Sequence, residues 1–68
     1  MDYTVIDRLN GCNVVQRTSD GKYGIEDTLD PTTPVQFRCR LLSTAQQIAR
    51  EISAENDQID ARRASEAR

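Results

Sequence analysis

Residues 43–59 read STAQQIAREISAENDQI, and this stretch decides the fold. Ser43 stands as an N-cap, because its hydroxyl can accept from the free backbone N–H three residues on. Gln46 occupies that third position and can reach back, which completes an S-x-x-Q capping box. Leu41, Ala45, Ile48 and Ile52 then recur at spacings of four, three and four. Those positions share one helical face, with Gln46, Gln47, Arg50 and Glu51 mostly on the other.

Beyond Ile52 the apolar stripe thins. Glu55 and Asn56 occupy the next inward turn, and Ile59 is the last apolar residue larger than alanine. Alanine, glutamate, glutamine and arginine carry the helix to about Arg63, and residues 64–68 are expected to fray as a tail. A second register places Leu42, Ala49 and Asn56 at heptad position a, with Ala45, Ile52 and Ile59 at d. An asparagine at a can fix the register of a paired helix, so Ile52, Asn56 and Ile59 are the candidate residues for self-association into a homodimer.

Immediately upstream, Val35 to Leu41 alternates cleanly. Val35, Phe37, Cys39 and Leu41 fall on one face, while Gln36, Arg38 and Arg40 fall on the other, the pattern of a half-buried strand. Nearer the N-terminus, Tyr3 to Leu9 and Cys12 to Thr18 flank Asn10-Gly11, the strongest short signal for a type I′ hairpin. Tyr3, Val5 and Leu9 are expected to share a face. Ser19-Asp20-Gly21-Lys22 is a second turn, leading into a short strand, Tyr23 to Glu26, whose Tyr23 and Ile25 point the same way. Pro31 and Pro34 keep residues 27–34 in a loop.

The reading is therefore an α+β fold, β-β-β-β-α: a two-layer domain over residues 1–63, with an antiparallel sheet covered on one face by a C-terminal helix. An alternative starts the helix near Phe37 and leaves three strands.

Composition narrows the chemistry. The chain has 68 residues, eleven acids, nine bases, no histidine and two cysteines. A net charge of −2 gives no global attraction to nucleic acid or anionic membrane. No basic n-region with a long apolar core is visible at the start, so a cytoplasmic location is expected, with no membrane association. Cys12 and Cys39 are expected to be reduced, and two thiols without histidine cannot complete a structural zinc site. Gly21-Lys22 lacks the spaced glycine and following Ser/Thr of a phosphate loop. Glu26, Asp27 and Asp30 lack calcium-loop spacing. No catalytic residue, metal ligand or cofactor is assigned.

What remains is binding. Arg38, Arg40 and Gln36 on the outward face of the fourth strand, joined by Arg17 of the second, form a candidate surface for an acidic protein partner. A small, marginally stable domain with a projecting helix is expected to complete its burial against another chain. The expected function is a non-enzymatic protein-binding module, an inhibitor or regulator. In size and simplicity alone it resembles small acidic proteins encoded by phages and other mobile elements, including inhibitors of host defence. The alternative is a nucleic-acid-binding module using the same arginine-bearing face, disfavoured by the acidic balance and by only three aromatic residues: Tyr3, Tyr23 and Phe37.

Overall fold

Asn10 and Gly11 reverse the chain between β1 (Tyr3–Leu9) and β2 (Cys12–Arg17), with Leu9 paired to Cys12 across the turn. The structure, a computed structural model, describes residues 2–66. Beyond this hairpin come β3 (Tyr23–Asp27), β4 (Gln36–Cys39) and α1 (Leu42–Glu66). The strands form one antiparallel meander in the order β1-β2-β3-β4, the helix packs on one side, and the class is α+β. The three-stranded alternative is not adopted, because Gln36–Cys39 pairs with β3.

The first turn departs from type I′. Only Gly11 has positive φ, at 84°, whereas type I′ needs it at both central residues. The reason lies in the helix. Asn10 N–H donates to Ser53 Oγ (3.2 Å), and Asn10 Nδ2 donates to Asp57 Oδ1 (2.8 Å) and Asp60 Oδ2 (2.9 Å). Asn56 Nδ2 donates back to the Asn10 carbonyl at 3.0 Å. These bonds set the turn peptide against α1, and the local preference for a primed turn yields.

Two β-bulges correct the simple alternation. In β1, Val5 pairs with Val15 but Asp7 with Val14, so Ile6 is an extra residue. Tyr3 and Val5 therefore face away from the helix, while Leu9 joins the helix-side core. In β4, Cys39 pairs with Tyr23 but Gln36 with Ile25, again one residue too many. Phe37 is thereby sent to the side away from the helix, where its ring meets Tyr3 (centroids 5.8 Å apart). Arg38 turns to the helix side together with Cys39. Gly24 permits this: a Cβ there would lie 2.6 Å from the Gln36 carbonyl oxygen and 3.2 Å from the Phe37 ring.

The helix begins one residue before Ser43. Ala45 N–H donates to the Leu41 carbonyl (3.3 Å), which makes Leu41 the N-cap. Among the described residues Ser43 forms no capping bond, so the S-x-x-Q box is not used. The helix runs to Glu66, through residues read as tail, and residues 67–68 lie outside the described part. Its inward face is Leu42, Ala45, Ala49 and Ile52, rather than Leu41 and Ile48, which are 64% and 38% exposed. This is the register the sequence offered for helix pairing, used against the chain's own sheet. Alanine supplies the reason: Ala45 and Ala49 let the helix sit close enough for Cys12 Sγ to lie 3.5 Å from the Ala49 carbonyl oxygen.

Cys12, Val14, Ala45 and Ala49 form the buried core, rimmed by Leu9, Tyr23, Ile25, Cys39, Leu42 and Ile52. Val15 is also fully buried, on the opposite side of the sheet. At 1.5 Å per residue a 25-residue helix is ~37 Å long. From Asp57 onward it is exposed, which accounts for the 48 Å long axis. No helix among the described residues is long and apolar enough to cross a membrane.

Candidate protein-docking surface

Four strands spaced ~4.8 Å apart make a layer nearly 20 Å wide, while one helix with its side chains covers only ~10 Å. α1 touches all four strands, β2 and β3 most extensively, and does not fill the space beside them. Between helix and sheet a groove opens on either side of Ile25. One end, about 390 Å³, is lined by Ile25, Pro34, Gln36, Arg38, Cys39 and Ile48. The other end, about 330 Å³, is lined by Cys12, Ile25, Asp27, Leu29, Ile52 and Asn56. Ile25 belongs to both, and the walls are mainly apolar.

The sequence-derived residues divide unevenly over this geometry. Gln36 and Arg38 line the groove, and Arg40 follows in the exposed bend into α1. Neither arginine has an ion-pair partner among the described residues. Arg17 does not join them. It lies on the other side of the sheet, with its guanidinium carbon 4.8 Å from the centroid of the Phe37 ring. It also grips Asp20 with both Nε (3.0 Å) and Nη2 (2.5 Å). That bidentate pair, with the Lys22 backbone N–H and the Arg17 and Lys22 charges, holds the Asp20 carboxyl down to about 2. Of the self-association set, Ile52 packs on the sheet and Asn56 bonds to the Asn10 turn, while Ile59 remains 48% exposed.

The side away from the helix is a polar and aromatic network. The Tyr3 hydroxyl donates to Glu26, and Asn13 Nδ2 donates to the same carboxylate (2.9 Å). These bonds, Tyr3 first, lower the Glu26 pKa, and the bond to Glu26 raises that of Tyr3. In the loop, Asp27 Oδ1 accepts from the backbone of Leu29 and Asp30. Asp30 accepts from Thr32 and Thr33, which lowers its pKa. Glu26 is thus held by donors from β1 and β2, and Asp27 and Asp30 by donors within the loop; no group of three potential metal ligands comes together among the described residues.

Sequence reasoning missed the apolar part of this surface. From the sequence, Ile25, Cys39 and Ile48 are legible only as residues on one face of a strand or helix, and Leu29 only as part of the 27–34 loop. The one available signal was the width mismatch between four strands and a single helix. Compared with protein-family models, with curated proteins and with solved structures, the chain matches none.

Proposed function

We propose that this chain is a non-enzymatic protein-binding module of the cytoplasm, an inhibitor or regulator that acts by docking to a partner protein. The observation that carries this reading is a mainly apolar groove beside α1 that has Arg38 in its lining, with Arg40 exposed two residues on and neither arginine ion-paired among the described residues. Apolar walls reward the removal of water by a partner surface. A bordering arginine adds orientation and favours an acidic edge on that partner. The test is affinity capture from the native host with immobilised chain, comparing wild type with Ile48→Glu and with Arg38→Glu/Arg40→Glu. Loss of the same partner in both variants, with unchanged melting temperature, supports the groove; equal capture by all three removes it.

One observation favours a second reading. Tyr3 and Phe37 both lie on the side away from the helix with Arg17, the elements of a sheet that stacks single-stranded nucleic acid. It ranks second because the Phe37 face is taken by Arg17, Arg17 is neutralised by Asp20, and Glu26 places a carboxylate beside Tyr3. An oligonucleotide titration decides it: affinity that falls steeply with salt supports nucleic acid, and no binding at low salt excludes it.

A further inference from the structure

We infer that Asn10-Gly11 is a site of spontaneous modification that helix α1 restrains: when turn and helix part, Asn10 deamidates, and the product no longer docks on α1. The inference is independent of what occupies the groove. Of the three asparagines, Asn10 alone precedes a glycine, whereas Asn13 precedes Val14 and Asn56 precedes Asp57. Deamidation begins when the backbone nitrogen of the next residue attacks the asparagine Cγ, and a side chain on that next residue obstructs the attack. Glycine offers no obstruction and lets the backbone reach the closed geometry.

The chemistry balances with water alone. The Gly11 nitrogen gives up its proton and bonds to Asn10 Cγ, the Cγ–Nδ2 bond breaks, and the departing amide nitrogen takes a proton to leave as ammonia. The cyclic imide then takes up one water. Opening at one carbonyl gives aspartate at position 10, and opening at the other gives a β-linked isoaspartate with an extra carbon in the main chain.

The helix holds the starting state. Ser53 Oγ accepts from the Asn10 N–H (3.2 Å), and Asn56 Nδ2 donates to its carbonyl (3.0 Å). Asp57 and Asp60 take the two amide hydrogens at 2.8 and 2.9 Å, which uses the full donor capacity of Nδ2. Carboxylates that pull on both N–H bonds push electron density from nitrogen into the amide. That strengthens the Cγ–Nδ2 bond and makes Cγ a poorer electrophile. The same bonds oppose the rotation that brings Cγ to the Gly11 nitrogen. That nitrogen donates no hydrogen bond among the described residues, so the restraint comes from α1 rather than from the turn.

After conversion the same place repels. A carboxylate oxygen standing where Nδ2 stood would face Asp57 and Asp60 with no hydrogen to share, so two donated bonds become like-charge contacts. The isoaspartyl product also lengthens the two-residue turn that pairs Leu9 with Cys12. The turn then stays off the helix, and the change runs one way.

Peptide mapping by mass spectrometry on the full chain in neutral buffer tests this, conversion being read as a gain of one mass unit at Asn10. The chain unfolded in urea should convert ~10-fold or more faster than the folded chain, a ratio set by how rarely turn and helix part. Asn13 and Asn56 serve as references and should convert more slowly. Asp57→Ala/Asp60→Ala, verified as folded by circular dichroism, should move the folded-state rate toward that of the unfolded chain. On the product side, Asn10→Asp should lower the urea midpoint. Adding Asp57→Asn/Asp60→Asn should recover most of that loss, because each new amide can donate to the carboxylate at position 10. Equal rates in folded and unfolded chain, no conversion in urea, or an unchanged rate in the folded alanine variant overturns the inference. So does an Asn10→Asp chain as stable as wild type, or one that the two asparagines fail to rescue.

Discussion

Replacing Gly11 by alanine tests how the hairpin turn and the helix are joined. Gly11 has φ of 84°, where an L-residue costs ~1–2 kcal/mol. The new methyl would lie 2.2 Å from Asn56 Nδ2, so the Asn56 side chain must leave and its bond to the Asn10 carbonyl is lost. That bond is worth ~1 kcal/mol. Stiffening of the unfolded chain returns ~0.4–1 kcal/mol, which leaves a net loss of about 2 kcal/mol. A domain of this size has only ~3–10 kcal/mol in total, and its melting temperature should fall by ~8–16 °C. Urea denaturation followed by far-ultraviolet circular dichroism is the assay, run on wild type, Gly11→Ala, Asn56→Ala and the double variant. With Asn56 already truncated the methyl meets no amide, so the double variant should be more stable than additivity predicts by ~0.5–1 kcal/mol. Additive costs, or a single variant within ~0.5 kcal/mol of wild type, would refute the close approach of turn and helix.

Two further expectations concern the core and the acid limb. Ala49 is fully buried where the helix meets β2, so Ala49→Leu should cost ~1–3 kcal/mol by overpacking. Ile48→Ala, at a groove-lining position, should cost less than the ~2–5 kcal/mol of a core isoleucine; the reverse order in denaturation midpoints would misplace the helix face. Asp20 has a folded pKa of about 2 against an ordinary 3.8. A depressed carboxylate stabilises the fold above its unfolded value and loses that contribution as pH falls toward its folded one. Wild type should therefore lose stability as pH drops from about 5 to 2, with Glu26 and Asp30 acting in the same direction. Asp20→Asn should show a smaller fall in urea midpoint over that range, and an identical fall would remove the Arg17–Asp20 pair from the account.

Local chemistry was legible in the residues themselves. Asn10-Gly11 and Asp20-Gly21 marked the reversals, Pro31 and Pro34 kept their loop out of the sheet, and period-two and period-3.6 patterns separated strands from helix. The element order β-β-β-β-α follows from these signals because each depends on neighbours only a few positions away. Which side of the sheet each side chain occupies did not follow. The bulges in β1 and β4 each add one residue, and one residue inverts every later position in a strand. Nothing local marks them: the β4 bulge reflects the space above Gly24, which belongs to the adjacent strand. The helix face was decided in the same way, since Leu41/Ile48 and Leu42/Ala49 are equally periodic. Only the closeness of approach to Cys12 selects the alanine face and turns the larger side chains outward. The residues thus fixed the order of elements, whereas packing across strands decided which groups were left facing the groove.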